Sequence, residues 1–213
     1  MPKKPFELLA ATTNPGKLLE IQTMMSVLPV SIFGLPSFAG VSEIEETGSS
    51  FLENASLKAA GYALQTGKWT LADDSGLQVE ALGGAPGIYS ARFGPANSDF
   101  DEKIRFLLQE LDKSGSQNRS ARFVAAVSFA SPKGEIVYST EGICRGSIAE
   151  KPFGKMGFGY DPIFIPDGFS QSFGQLPAEL KNEMSHRARA LRKFIRYLAD
   201  FMGVSLDQTI FRL

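Results

Sequence analysis

Two polar segments follow short apolar runs of the chain, and their residue types could bind a charged ligand. The first is ATTNPGK, residues 11–17, and the second is the pair Asp73 and Asp74, which follows residues 69–72. Free backbone amides and a lysine can hold an anion, while carboxylates can bind Mg²⁺ or accept a proton from water. Together the two segments predict a site for phosphate groups.

Residues 11–17 are predicted to join a strand to a helix. Residues 6–11 are apolar enough for a buried strand, and a helical face follows in Leu18, Ile21, Met25 and Leu28. Asn14 suits the N-cap position and Pro15 the first helical position, where proline removes only an N–H that has no partner within the helix. The remaining amides of the first turn, the helix dipole and Lys17 would then attract an anion.

This segment is not a Walker A loop. Ala11 and Leu18 occupy the positions where that motif needs glycine and either serine or threonine. A capped helix that simply carries a surface lysine is the alternative interpretation, so the segment does not establish a phosphate site by itself.

The acidic candidates fall in two places. Asp73 and Asp74 are adjacent at the predicted end of a strand, where neighbouring side chains point to opposite sides and only one can easily face a given site. Ser75-Gly76 is predicted to turn the chain sharply after them. A loop upstream carries three more acids, namely Glu43, Glu45 and Glu46. Local capping by the aspartates and simple solubility of the loop are the alternatives.

Aromatic and basic residues form a third group nearer the C-terminus. The stretch GFGYDP places Phe158 and Tyr160 between glycines and ahead of Asp161, a pattern that would let a ring stack on a planar base. The remaining polar candidates are Lys181, His186 and Arg187. An aromatic plug of the core and a solvated basic helix face are the alternatives.

The order of elements predicts an α/β fold with a mixed sheet. Besides residues 6–11, strands are expected over 30–34, 69–74, 121–131 and 134–148. Helices are expected over 51–66, 98–113 and 185–202. The first of these helices follows a capping box that runs from Ser50 to Glu53. The strand, helix and strand at the start favour parallel pairing, whereas the turn at residues 131–134 favours an antiparallel hairpin.

The composition is ordinary for a soluble globular protein and excludes several functional classes. The 213 residues are 43% hydrophobic with a net charge of -1, so there is no broad cationic surface for a nucleic-acid backbone. One cysteine, Cys144, and one histidine exclude a disulfide framework and Cys/His zinc sites, so oxygen would hold any metal. Because no apolar run suits a signal peptide or a membrane span, we expect a cytoplasmic location and no membrane partner.

Taken in order, these motifs resemble the inosine/xanthosine triphosphate pyrophosphatase family. The matching stretches are TTNPGKLLEI, EETGSSFLENASLKA, LADDSGLQVEALGGAPGIYSARFG, GFGYDPIF and SHRARAL. They run through nearly the whole chain in the family's order, and DDSGL with GGAPGIYSAR is a highly specific pair. The resemblance implies a mixed-sheet α/β fold in which residues 1–213 form one domain of two lobes around a central substrate cleft, usually as a homodimer.

The resemblance also implies Mg²⁺-dependent hydrolysis of ITP, dITP and XTP to the monophosphate and pyrophosphate. Asp74 would be the catalytic acceptor and a metal ligand, and Ser75 would touch the substrate. Glu45 is the candidate second metal ligand, although the adjacent Glu46 has the same chemistry. The triphosphate would be held by Thr12, Thr13, Asn14, Pro15, Gly16 and Lys17. The base pocket would be lined by Phe158, Gly159, Tyr160, Asp161, Lys181, His186 and Arg187.

Three other functions are alternatives to this one. A related pyrophosphatase that prefers modified pyrimidines would differ in turnover across ITP, XTP, dUTP and dTTP. A regulator that binds nucleotides without hydrolysing them would have no need for Asp74, Lys17 and the acidic loop. A nucleic-acid-binding module is the weakest alternative because of the charge balance.

Overall fold

The apolar runs of the sequence form a sheet with parallel and antiparallel pairs in the computed structural model, which describes residues 5–206. The strands are β1 (Phe6–Ala10), β2 (Val30–Gly34), β3 (Trp69–Val79), β4 (Ser120–Ala130), β5 (Ile136–Ile148) and β6 (Phe164–Pro166). Their order in the sheet is β2-β1-β3-β4-β5-β6. β1 pairs in parallel with β2 and β3, and β5 pairs antiparallel with β6. The predicted α/β class with a mixed sheet is therefore confirmed.

The first two helices begin at the caps that the sequence predicted. The helices are α1 (Pro15–Met25), α2 (Phe51–Thr66), α3 (Phe100–Lys113), α4 (Ala178–Met184) and α5 (His186–Met202). The Asn14 side chain accepts from the Lys17 amide, and the Ser50 hydroxyl accepts from the Glu53 amide. α1 is shorter than its apolar periodicity suggested, because Leu28 lies beyond the helix end although it is buried. The short helix α4 was not predicted.

Ser75 and Gly76 were predicted to turn the chain sharply, and that prediction was wrong. β3 continues through both residues to Val79, so Asp73 and Asp74 lie within the strand and not at its end. β1 pairs with residues 69–71 of β3, and β4, the neighbour on the other side of β3, is the strand that can bond to its continuation through Ser75 and Gly76. The hairpin prediction was correct in position, since Gly134 N–H donates to the Ser131 carbonyl between the neighbouring strands β4 and β5.

The described residues divide into two units, each with its own hydrophobic core. Unit 1 takes in residues 5–74, 125–142 and 187–206, and unit 2 takes in residues 75–124 and 143–186. The core of unit 1 includes Leu8, Leu71, Phe129, Leu191 and Phe194. The core of unit 2 includes Leu77, Ile104, Leu107, Phe123 and Phe164. Within residues 5–206, no helix combines the length and the apolar character needed to cross a membrane.

Candidate active site

In unit 1, the end of β1 brings the first polar segment close to the two aspartates. Ala10, the last residue of β1, lies opposite Leu71 of β3, and the Ala11 amide donates to the Leu71 carbonyl over 2.7 Å. Asp73 follows two residues later on β3. Lys17 in the first turn of α1 forms an ion pair with it, with Nζ 2.7 Å from Oδ1.

Asp73 is held by two cations. In addition to Lys17, Arg187 at the start of α5 donates from Nε to Asp73 Oδ2 over 3.0 Å, and its Nη1 also contacts Glu20 on α1. Burial alone would raise the pKa of Asp73, but Arg187 and Lys17 hold it well below its ordinary value. Asp73 therefore stays ionised and is a poor proton acceptor.

Asp74 has a different environment. Its Oδ1 lies 3.5 Å from Nζ of Lys58 on α2, and the same Nζ lies 2.6 Å from Oε1 of Glu46. Burial raises the pKa of Asp74, Lys58 opposes that shift, and the Glu46 charge adds to it. A carboxyl whose pKa is raised is better suited to accept a proton than its neighbour Asp73, whose pKa is lowered.

We refer to these groups as the charged cluster. Its members are Lys17, Glu20, Glu46, Lys58, Asp73, Asp74 and Arg187, all in unit 1. The charges are strongly interdependent. Burial lowers the pKa of Lys17, and Asp73 opposes that shift. Burial also acts to lower the pKa of Arg187, but Asp73 and Glu20 together raise it above its ordinary value.

The other residues of the first polar segment build the turn that precedes α1. The Asn14 amide donates to Thr12 Oγ1 over 3.1 Å, and the Lys17 amide donates to Asn14 Oδ1 over 3.1 Å. Thr13 and Pro15 are exposed, and Gly16 is half-buried. The side chains of Thr12 and Asn14 thus shape the turn, and Lys17 supplies its charge.

Two members of the charged cluster were missed by sequence reasoning. Lys58 was not singled out, although Asn54 and Lys58 occupy the same helix face as Tyr62, which is buried at 6% exposure. Polar residues on such a face are a usable signal that a polar site lies against it. Glu20 carries no comparable signal, because an acid in a helix of mixed polarity is common.

The structure also separates the two glutamates that the sequence left open. Glu46 contacts Lys58, whereas Glu45 is exposed. The structure therefore brings Glu46, and not Glu45, to Asp74 through their shared lysine.

In unit 2, Asp161 and Lys181 form a second buried ion pair. Lys181 Nζ lies 2.6 Å from Asp161 Oδ2, which also accepts from the Phe158 amide over 2.8 Å. The same ammonium lies 4.3 Å from the centroid of the Phe158 ring. Gly157 is required here, because a Cβ on it would lie 2.0 Å from Asp161 Oδ2 and its φ is +74°. We call Phe158, Asp161 and Lys181 the aromatic cluster.

The remaining predicted base-pocket residues have varied environments. Tyr160 is buried in unit 2, and its hydroxyl donates to the Ser90 carbonyl over 3.1 Å. His186 stacks on Phe123 with 4.6 Å between ring centroids. Gly159 is half-buried. Ser75, at the start of unit 2, is half-buried on β3, and Arg187 lies in the charged cluster of unit 1.

The donor set of the charged cluster fits a magnesium ion. Asp74 and Glu46 are carboxylates that converge on one point, Lys58 Nζ, and each presents oxygen, the donor that Mg²⁺ prefers. Two protein ligands are typical where substrate phosphates and water complete the coordination. Among residues 5–206 there is no group of three or more His, Cys, Asp or Glu side chains placed to hold a metal. A site built by the chain alone is therefore not indicated.

A cavity of about 600 Å³ lies elsewhere in unit 2. Its lining includes Gln78, Glu80, Gly84, Arg122, Arg145 and Asp167. None of the predicted site residues lines it, and its charged side chains are exposed, so it lacks the buried, mutually paired groups that characterise the charged cluster.

Comparisons with known proteins identify the family of the chain. Residues 8–197 match the Ham1 family. The dITP/XTP pyrophosphatase of Synechocystis sp. is 47% identical over 200 residues, covering 94% of this chain and 97% of that protein. The dITP/XTP pyrophosphatase of Prochlorococcus marinus is 46% identical over 196 residues, covering 92% and 94%. A solved structure of a HAM1 protein from Coxiella burnetii has a TM-score of 0.85 at 37% identity, covering 92% of this chain and 99% of that one. Since the match extends over nearly the whole chain in both sequence and structure, the chain belongs to the Ham1 family.

Proposed function

We propose that this protein hydrolyses ITP, dITP and XTP to the nucleoside monophosphate and pyrophosphate, with Mg²⁺ as cofactor. The names of the similar proteins from Synechocystis and Prochlorococcus support the substrate class. Such an activity removes deaminated purines from the nucleotide pool. The substrate is a small molecule, and neither a nucleic acid nor a membrane is part of the proposal.

The observation that carries the proposal is the contrast between the adjacent aspartates. Asp73 is neutralised by Lys17 and Arg187, while Asp74 has a raised pKa and shares Lys58 with Glu46. Only Asp74 combines proton-accepting character with a position suited to a metal. We therefore assign to Asp74 the orientation and deprotonation of the attacking water.

Within the charged cluster the other residues have distinct roles. Lys17 and the amides at the start of α1 bind the triphosphate, with Thr12, Thr13, Asn14, Pro15 and Gly16 forming the turn that presents them. Arg187, on α5, contacts Asp73 of β3 and Glu20 of α1 and so links these elements. Glu46, which replaces Glu45 in our assignment, and Asp74 would hold Mg²⁺. The ion would supply charge neutralisation of the polyphosphate.

Unit 2 offers a basis for selecting the purine. The Lys181 ammonium only donates hydrogen bonds, so it favours the 6-oxo acceptor of hypoxanthine and xanthine over the 6-amino donor of adenine. The Phe158 ring gives a stacking face beside it. Each buried polar group that adenine left unpaired would cost about 1–3 kcal/mol. Gly159, Tyr160, Asp161 and His186 support this arrangement, and Ser75 stays a predicted substrate contact.

Pyrophosphate release from ITP, XTP, dUTP, GTP and ATP, each with and without Mg²⁺, tests the proposal. We expect metal-dependent release from ITP and XTP that exceeds release from ATP and dUTP. Equal rates on ITP and ATP would contradict the base selection. Binding of ITP with no release under any condition would contradict the activity.

The homodimer belongs to the proposal as well. Light scattering coupled to size-exclusion chromatography would show a mass near twice that of the 23.1 kDa chain. A mass near that of one chain would contradict it.

A further inference from the structure

The segment that carries Glu46 is aligned along α2 by a series of side-chain contacts. Residues 41–48 belong to no helix or strand, yet every second residue from 42 to 48 contacts a side chain of α2. The contacts run in opposite directions along the two segments. They pair Ser42 with Gln65, Ile44 with Tyr62, Glu46 with Lys58 and Gly48 with Asn54. We call these four contacts the α2 ladder.

The backbone amides at the two ends of the ladder make shorter hydrogen bonds to α2 than the amide of Ile44 does. Gln65 Oε1 accepts from the Ser42 amide over 2.7 Å, and Gln65 Nε2 donates to the Ser42 carbonyl over 3.0 Å. At the other end, the fully buried Asn54 accepts from the Gly48 amide over 2.8 Å. The Ile44 amide donates to the Tyr62 hydroxyl over 3.4 Å between them. Backbone amides of the segment thus find acceptors on a single helix face.

Gly61, inside α2, leaves room for Ile44 and so favours one alignment of the segment along the helix. Gly61 lies against Ile44, and a Cβ on Gly61 would come within 2.5 Å of Ile44 Cδ1. Glycine weakens a helix interior, so its place here is explained by the close approach of the segment. Gly48 has the same role at the start of α2, where a Cβ would lie 2.6 Å from the Cβ of Glu53.

The alternation decides which acid faces the charged cluster. Glu43 and Glu45 fall between the ladder positions and are exposed, whereas Glu46 is on the ladder and its side chain is 27% exposed. A shift by one residue would exchange Glu46 for Glu45. We propose that Asn54, Gly61 and Gln65 are positioning residues that fix this register, and so place Glu46 beside Asp74 for the metal. The inference rests on the proposed function, because it assumes that these carboxylates share Mg²⁺.

Two substitutions test the ladder at different points. Gly61→Ala would push Ile44 away from α2, and Gln65→Ala removes both contacts to Ser42 at an exposed position where folding is not endangered. Leu57→Ala is the matched control, since Leu57 is an exposed residue of α2 outside the ladder. Thermal unfolding of each full-length variant checks that it folds.

Two readouts separate positioning from general damage. The first is hydrogen–deuterium exchange of the amides of residues 42–49 in the metal-free protein, which needs no activity. The second is the Mg²⁺ concentration for half-maximal pyrophosphate release, measured apart from kcat at saturating Mg²⁺. In Gly61→Ala and Gln65→Ala we expect faster exchange and a half-maximal Mg²⁺ concentration raised about 10-fold, because contacts that orient metal ligands typically contribute roughly 10- to 100-fold. kcat at saturating Mg²⁺ should stay within about 2-fold, since the metal ligands themselves are intact.

A compensating change provides the rescue. Ile44→Ala removes the side-chain carbons that a methyl group on Gly61 would meet. The double variant Gly61→Ala with Ile44→Ala should therefore recover slow exchange and an Mg²⁺ requirement closer to that of the unchanged protein than Gly61→Ala alone.

The outcomes are distinct. Faster exchange with an unchanged Mg²⁺ requirement, or unchanged exchange in both variants, would overturn the inference while the proposed function stands. An effect of Leu57→Ala as large as that of Gln65→Ala would also overturn it. If the unchanged protein releases pyrophosphate from ITP without any need for Mg²⁺, the metal role and this inference both fail. If the unchanged protein releases no pyrophosphate from ITP, the proposed function fails, and with it the metal role that this inference assumes.

Discussion

The charged cluster of unit 1 and the aromatic cluster of unit 2 both bury charge, but they balance it differently. The charged cluster has four carboxylates and three cations, so one negative charge remains when all are ionised. The aromatic cluster has one of each, with a ring beside the ammonium. The excess negative charge suits a divalent cation, whereas the neutral pair suits an uncharged base. In the proposed function, charge handling and base selection would thus use different balances of the same residue types.

The largest expected effect comes from removing the proposed proton acceptor of the charged cluster, Asp74. Asp74→Asn should lower kcat for ITP by about 10²- to 10⁴-fold, the usual contribution of a general acid or base. Pyrophosphate release at saturating Mg²⁺ measures it, and Glu45→Gln, at an exposed acid, is the control with near-normal kcat. Retention of more than about a tenth of the activity by Asp74→Asn would contradict the assignment, because that exceeds what loss of such a group allows.

The neighbouring substitution should act on stability more than on chemistry. Asp73→Asn leaves Lys17 and Arg187 without their shared carboxylate in a buried site, and should lower the free energy of unfolding by about 3–5 kcal/mol. Urea denaturation of the two Asn variants side by side measures the difference. If Asp74→Asn destabilised as strongly as Asp73→Asn, the contrast between the two aspartates would be wrong.

In the aromatic cluster, the expected effect is on selectivity. Lys181→Met keeps a similar length while removing the donor, so the preference for ITP over ATP in kcat/KM should fall by the value of about one buried hydrogen-bonding group, roughly 10-fold. Competition between ITP and ATP in one reaction measures this ratio directly. An unchanged ratio with a lower overall rate would show that Lys181 supports folding and not base selection.

The smallest expected effect sharpens the contrast through pH. Asp73 has a folded-state pKa below its ordinary value of 3.8, so it stabilises the fold above that pH and the contribution is lost as the pH falls further. Asp74 has a pKa raised above 3.8, so its ionisation costs stability as the pH rises through the raised value. Relative to the unchanged protein, Asp74→Asn should therefore lose less stability as the pH rises above 3.8, because the buried carboxyl that must ionise is gone.

Urea denaturation of the metal-free protein at several pH values measures these slopes. Asp73→Asn should show a shallower loss of stability below pH 3.8 than the unchanged protein, because the ionisable group is gone. If both Asn variants changed the pH dependence of the free energy of unfolding in the same direction, relative to the unchanged protein, the opposite environments of the two carboxyls would be contradicted.

Local rules predicted the parts of the fold that depend on nearby residues. The N-caps Asn14 and Ser50 follow from local capping rules, and Leu191, Ile195 and Leu198, which recur at helical spacing in α5, are buried. The continuation of β3 through Ser75-Gly76 depends on strands from distant parts of the chain, so the local turn signal misled. The choice of Glu46 over Glu45 depends on alignment with α2, which neither residue's immediate neighbours encode.

The position of Lys58 also bears on how the protein would behave without a metal ion. Its ammonium lies between Glu46 and Asp74, and these carboxylates more than offset the lowering of its pKa by burial. The repulsion between the two acids is thus compensated by a covalently attached charge before any ion arrives. We therefore expect the metal-free protein to stay folded, and, if Mg²⁺ is the cofactor as proposed, a chelator should stop turnover without unfolding the protein.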